Sequence, residues 1–332
     1  DPSLPSLLRQ AGMEYTLLDD FAFLPAGYPP EDLLDSFITD HLGSAMTIFP
    51  IAQDLRYASA GGEPEDVLAL LRARHDRHPR ALAVIAADGE RFGLWPDSSE
   101  RVYAPRHWLD EFLTLVVGAD WLDPTTFEQY LDDHPSGRRV AIPSASYREM
   151  SGSSLPSETA RLSEPEPERG RHEVRKTTEA SIRGEWWPNS LIDYPEAATL
   201  YRKMLRISSH IAASKGAPEA HGELLKAQGN DPYRHGNFGG LYLPHLRAAA
   251  NRHLINAQTM IDAAHHRGRA WSYLRQLDWD ADNREEIEVE LPDQSWVLDP
   301  ADGGCLLYFD DKPSRWAISD VVARRYAVSY TH

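Results

Sequence analysis

The chain has 332 residues, with 34 Lys and Arg against 51 Asp and Glu, and a formal net charge of -17 at pH 7. That balance repels phosphate backbones and anionic lipid surfaces, which excludes nucleic acid and membranes as expected partners, and no run of about 18 apolar residues offers a bilayer span. The length allows one large domain plus a smaller one, and the single cysteine, Cys305, has no partner for an internal disulfide, which fits a reducing, cytoplasmic setting.

In chain order, Ser3–Ala11 reads as a helix that leads into strand-like runs at Tyr15–Leu18, Met46–Phe49, Leu82–Ala87 and Arg139–Ile142. Helix-period segments, Glu65–His75 and His107–Val117, lie between them. This alternation predicts an α/β unit with a mostly parallel sheet of the (β/α) barrel type. So few strands do not close such a barrel, which takes about eight strands and roughly 250 residues. A barrel also opens on a strand, whereas this chain opens on a helix. The expectation is a partial (β/α) barrel over residues 1–150 whose N-terminal portion lies outside the chain. Residues 151–185 turn rich in Ser, Pro, Glu and Arg and read as an exposed loop or mobile insertion. Apolar residues then recur at three and four positions in Pro195–Ser214, Gly222–Gln228 and Leu243–Leu274, which predicts a helical region over 186–277. After Asp278 the pattern alternates in Glu286–Leu291, Ser295–Leu298 and Leu306–Phe309, with Asp302-Gly303-Gly304 as a turn. Residues 278–332 are therefore expected to begin a β-sandwich domain that continues past the end of the chain.

Leu82–Ala87 shows no polar alternation, as in a strand covered on both faces, and Asp88 stands at its carboxyl end. Parallel α/β folds keep reacting groups on that rim. Glycoside cleavage needs one carboxyl group to protonate the leaving oxygen and a second to attack or to activate water, with an aromatic face against the sugar. Asp88, Glu90 and Trp95 have those residue types. The same types also serve as caps of the following turn and as core, and from composition alone both readings stay open. Other chemistries have less support. His265 and His266 are adjacent, and no H-x-x-x-H or H-E-x-x-H spacing occurs, so no metal is expected. Ser144 and Ser146 lack a G-x-S-x-G elbow, Gly236–Gly240 lacks the Lys of a phosphate loop and reads as a tight turn, and Cys305 reads as an inert buried thiol. Trp186 and Trp187 are open between a sugar platform and core packing.

Ordered blocks along the chain carry a resemblance. They are Ala11-Gly12-Met13-Glu14-Tyr15 with Asp19-Asp20; Phe49-Pro50-Ile51 with Leu55-Arg56-Tyr57; Asp88–Pro96 (DGERFGLWP); Ile142-Pro143 with Ala145-Ser146-Tyr147 and Glu149-Met150; Lys226-Ala227-Gln228; and Asn230-Asp231 with His235-Gly236 and Phe238–Arg247. The chain resembles family 57 glycoside hydrolases of the 4-α-glucanotransferase type, which carry an appended β-sandwich. The resemblance implies a retaining mechanism on α-1,4-glucans with Asp88 as general acid and then general base. It places Trp95 at the donor sugar and makes Glu90, Tyr147, Glu149, Asp231 and His235 substrate-binding candidates. Glu90 either contacts a sugar hydroxyl or orients its neighbours, and His235 is either in the site wall or a core histidine. The glutamate nucleophile is expected just ahead of Asp1, so this stretch alone is expected to be inactive.

Some positions depart from the pattern. Ala22 stands where relatives commonly carry His, Gly152-Ser153 replaces an acidic-Trp pair, and Arg234 replaces an aromatic residue before His235. The expected activity is disproportionation of maltooligosaccharides or starch without a cofactor. An α-amylase-type hydrolase and a non-catalytic glycan-binding homologue are the alternatives, and association into a homo-oligomer stays open.

Overall fold

The computed structural model describes residues 1–95, 98–103, 107–134, 138–145, 187–214, 218–234 and 239–323. Segment 151–185, Trp186, Tyr147, Glu149 and His235 lie outside these described residues. Contacts divide the chain into two units, whose described parts run from 1 to 145 and from 187 to 323.

The first unit opens with helix α1 (Leu4–Gln10) and holds a four-stranded sheet of β1 (Tyr15–Asp19), β2 (Phe37–His41), β3 (Ser44–Ile51) and β4 (Arg138–Arg139), in the order β1-β3-β2-β4. The sheet is mostly parallel, as expected, with one antiparallel pairing in it. β1 and β3 run parallel, as do β2 and β4, but β2 pairs antiparallel with β3. The reason is a two-residue turn, Leu42-Gly43, in which both residues have positive φ (49° and 81°). That geometry matches the twist of a tight hairpin, and nothing in His41-Leu42-Gly43-Ser44 announces it as Asn-Gly would.

The hairpin also explains why one expected strand is cut short. β2 occupies one edge of β3 as far as the Phe37–Ile48 pair, so only the last turn of that edge is free. The Leu82–Ala87 run therefore forms a single parallel bridge, Val84 to Ile51, closed by Ala52 N–H donating to the Val84 carbonyl at 3.0 Å. The expected Arg139–Ile142 strand is shortened to β4, which pairs with the other edge of β2, and Val140 N–H still donates to the Ile38 carbonyl at 2.9 Å.

Side chains alternate across β3, and both faces are covered. Ile48 packs with Phe23, Leu33, Phe37 and Val140, whereas Phe49 and Ile51 pack with Val84 and Tyr130. Helices α2 (Gln53–Gly61), α3 (Pro64–Arg77), α4 (Ser98–Val102), α5 (Trp108–Val117) and α6 (Phe127–Asp133) complete the unit. Leu55, Val67, Leu71 and Trp108 join α2, α3 and α5 in one core, and the Trp108 indole N–H donates to the Gly62 carbonyl at 3.0 Å.

The second unit contains α7 (Ser190–Asp193), α8 (Pro195–Ala213), α9 (Pro218–Ala227) and α10 (Pro244–His266), followed by a five-stranded antiparallel sheet. The strands, in spatial as in chain order, are β5 (Tyr273–Leu277), β6 (Glu286–Glu290), β7 (Gln294–Asp299), β8 (Cys305–Asp311) and β9 (Trp316–Ala317). Leu200, Met204 and Ile207 of α8, Ala220, Leu224 and Ala227 of α9, and Ala250, Leu254, Ala257 and Ile261 of α10 recur at helical spacing and share one core. The predicted helix Leu243–Leu274 is corrected. It ends at His266, because Arg267 (φ 50°) and Gly268 (φ 78°) take the left-handed conformation that terminates helices. Tyr273–Leu277 then pairs with β6 as a strand.

Charged side chains tie the helices to this sheet. Lys203 of α8 lies 2.6 Å from Asp310 of β8 and donates to Asn251 at 3.0 Å, and the pair is only 7% and 4% exposed. Arg206 and Arg275 converge on Glu288 at 2.7 Å each, and Lys312 reaches Asp262 at 2.8 Å and Glu290 at 2.9 Å. A cavity of about 20 Å³ lies beside Trp279 and Tyr308. Breaking a buried pair from one side leaves an uncompensated charge. Lys203→Met is therefore expected to destabilise by about 3–5 kcal/mol in urea denaturation, and Lys203→Met with Asp310→Leu to regain most of it.

Candidate active site

Three parallel segments end side by side in the first unit: β1 at Asp19, β3 at Ile51 and the extended run through Val84 that leads to Asp88. Their carboxyl ends carry a connected set of polar groups. Asp19 and Asp20 are 3% and 6% exposed where β1 passes into the following turn. The Asp20 carboxylate accepts the Gln53 N–H at the start of α2 (3.0 Å), and Asp19 accepts the Phe21 N–H and pairs with Arg56 at 3.4 Å. The Arg56 carbonyl in turn accepts from the Arg91 guanidinium at 3.3 Å. Arg91 lies over the Trp95 ring at 4.8 Å and near Tyr57 at 5.8 Å, with Nε at 3.8 Å from Asp88 Oδ2.

Asp88 precedes the short 3-10 turn Gly89–Phe92, yet its side chain makes no cap hydrogen bond and is 57% exposed. The capping alternative therefore lacks its bond. Glu90 is exposed, and Trp95 is half-buried beneath Arg91 rather than a member of a core cluster. In the second unit Asp231 opens a 3-10 turn and pairs with Arg234 at 3.1 Å, exposed on its side. Tyr147, Glu149 and His235 fall outside the described residues. Ala22, where relatives commonly carry His, is 1% exposed.

Asp88, Glu90 and Trp95 are legible as site residues in the sequence; Asp19, Asp20, Arg56, Tyr57 and Arg91 join them only in the fold. All five lie in blocks that carry the resemblance. What was missing was which strand ends adjoin, and that depends on sheet order. Cys305 is half-buried, and burial together with the Asp302 carboxylate pushes its thiol up, away from reactivity. Two groups, Asp278-Asp280-Glu286 and Asp299-Asp302-Cys305, bring ligand-type atoms within 4.8 Å of one another. Asp278 accepts the Asp282 and Asn283 N–H groups, Glu286 those of Trp279 and Asp280, and Asp299 those of Ala301 and Asp302, so these carboxylates hold turns.

Burial pushes the Asp20 carboxyl up to about 6, with the Gln53 N–H working against it and Asp19 and Asp54 adding to it. Between the unfolded value near 3.8 and about 6 the folded chain holds more protons than the unfolded chain, so this group's contribution to stability falls as pH rises through that window. Asp20→Asn, which keeps an acceptor for Gln53, is expected to raise stability by on the order of 1–3 kcal/mol at pH 7.5 and to lose that gain at pH 4. Melting temperatures at the two pH values check it, and a gain unchanged at pH 4 would contradict it.

Three family descriptions match in succession: glycosyl hydrolase family 57 over residues 1–143, the α-amylase/4-α-glucanotransferase middle domain over 185–261, and the α-amylase/4-α-glucanotransferase C-terminal domain over 278–330. An α-amylase of Pyrococcus horikoshii is 35% identical over 98% of this chain and 50% of its own length. A 4-α-glucanotransferase of Thermococcus litoralis is 35% identical over 98% of this chain and 48% of its own. The crystal structure of the 4-α-glucanotransferase from Thermococcus litoralis matches with a TM-score of 0.88 at 34% identity, covering 100% of this chain and 50% of that one. The chain thus spans about half the length of the curated relatives it matches. The ordered blocks, the three consecutive family matches and the shared α/β fold with its C-terminal antiparallel sheet show that the chain belongs to glycosyl hydrolase family 57.

Proposed function

We propose that this chain supplies the acid/base side of a retaining active site on α-1,4-glucans, and that the protein is a 4-α-glucanotransferase with Asp88 as general acid and then general base. The observation that carries the reading is the Asp88 carboxylate. It stands at the carboxyl end of a parallel run, exposed and free of a capping bond, beside Arg91, whose guanidinium lies over the half-buried Trp95 ring. In this reading Asp88 protonates the glycosidic oxygen as the bond to the anomeric carbon breaks. A glutamate expected ahead of Asp1 takes that carbon. An acceptor sugar hydroxyl then gives its proton to Asp88 as its oxygen displaces the enzyme carboxylate.

Residues 1–150 are read as the C-terminal part of a (β/α) barrel, 151–185 as an insertion, 186–277 as the helical region that completes the site, and 278–332 as the beginning of a β-sandwich. Glu90, Tyr147, Glu149, Asp231 and His235 are the proposed sugar contacts beside Trp95. A cytoplasmic location rests on the single cysteine; among the described residues no helix is long and apolar enough to cross a membrane.

Hydrolysis is the second reading, favoured by relatives named α-amylase and by an Arg234 that is held by Asp231 where an aromatic acceptor platform is expected. Water rather than sugar would then complete the second step. With the stretch ahead of Asp1 in place, incubation with a short maltooligosaccharide is expected to yield products longer than the substrate, and Asp88→Asn to lower the rate by about 10²–10⁴-fold. Shorter products alone would assign hydrolysis. No products, with sugar still bound by both forms, would assign a glycan-binding protein.

A further inference from the structure

We propose that Arg91 is the positioning residue of Asp88: it orients the carboxyl group and stabilises the negative charge that develops there as the proton leaves. The inference rests on the reading of Asp88 as the acid/base, and four observations in the first unit support it. Arg91 is only 9% exposed, so its guanidinium is held within the unit rather than solvated. One nitrogen donates to the Arg56 carbonyl at 3.3 Å, and the plane lies over Trp95 at 4.8 Å with Tyr57 at 5.8 Å, which limits its freedom. Its Nε is buried and makes no hydrogen bond. That same Nε is 3.8 Å from Asp88 Oδ2, on a side chain 57% exposed and able to turn. A closure of about 1 Å would bring the two groups within the roughly 2.7–2.9 Å of a charge-assisted hydrogen bond.

The geometry separates the partners by mobility. The cation is fixed, because Arg56, which anchors it, is itself paired with the buried Asp19. The carboxyl group is the part that moves. While protonated, Asp88 gains little from a neighbouring cation. As the glycosidic oxygen takes its proton and the bond to the anomeric carbon breaks, the group becomes a carboxylate, and Arg91 gains its attraction at that moment. Stabilisation that appears only as charge develops lowers the barrier rather than tightening substrate binding. A lysine in its place keeps the charge but loses the planar fork and part of the ring stacking.

The test uses the protein with the stretch ahead of Asp1 in place, as wild type, Arg91→Met and Arg91→Lys, and compares two donors. A maltooligosaccharide has a leaving oxygen that needs a proton; α-maltosyl fluoride has a leaving group that does not. Arg91→Met is expected to lower kcat with the oligosaccharide by on the order of 10²-fold with little change in KM. The burst of fluoride in the first turnover should change less than about threefold, and Arg91→Lys should recover part of the oligosaccharide loss. Equal losses on both donors, accompanied by a lower melting temperature in both variants, would assign Arg91 a structural role only and overturn the inference. Unchanged oligosaccharide kinetics in Arg91→Met would overturn it as well. A wild-type protein that processes neither donor would instead overturn the parent reading of Asp88, and the inference with it.

Discussion

The first unit depends on β3, which has three different neighbours along its length. Its start, Ser44–Ile48, pairs antiparallel with β2, its later part, Thr47–Ile51, pairs parallel with β1, and its final residue, Ile51, bridges Val84. A strand paired on both edges and covered on both faces has no freedom to slip, because a shift by one residue would turn Ile48 and Phe49 out of their clusters. The register of β3 therefore determines where Asp19, Gln53 and Asp88 emerge, and all three emerge at one rim.

From that rim the polar groups form a relay in which each member is held by the one before it. Buried Asp19 holds Arg56, the Arg56 carbonyl holds Arg91, and Arg91 faces Asp88. The only strongly exposed end of the relay is Asp88, the group with the proposed chemistry. An acid/base carboxyl must change protonation, so a solvent-accessible, movable group beside an immobile cation suits the task. Asp20, one residue from the relay's start, is 6% exposed, and that burial pushes its carboxyl up to about 6.

The second unit handles charge differently. Its helices share an apolar core with one another, but toward the sheet they present Lys203 and Arg206, which meet Asp310 and Glu288. Burial pushes the carboxyls of Asp310 and Glu290 up, while Lys203 and Lys312 pull them back down. Such pairs are weak contributors to net stability but severe when half-removed, so they disfavour alternative packings in which a charge would lack its partner. In a chain of net charge -17, these lysines and arginines are concentrated where acidic strands would otherwise repel one another.

The sequence by itself determined the elements whose signal is local. The helices that became α3, α5, α8 and α9, strands β6 to β8 and the block Asp88–Trp95 were legible because apolar periodicity and motif spacing depend on neighbouring residues alone. Only the tertiary structure decided the rest. The Leu42-Gly43 hairpin set one antiparallel pairing into a mostly parallel sheet, and by occupying the edge of β3 it left the apolar run Leu82–Ala87 with a single bridge. The helical pattern read through Leu274 runs into Tyr273–Leu277, which becomes a strand, since Arg267 and Gly268 end the helix and β6 offers an edge to pair with. Arg91 faces Asp88 from three residues on, but what anchors Arg91 was hidden for the same reason. Arg56 and Arg91 are 35 residues apart, and their meeting follows from strand order and register, which no local pattern encodes.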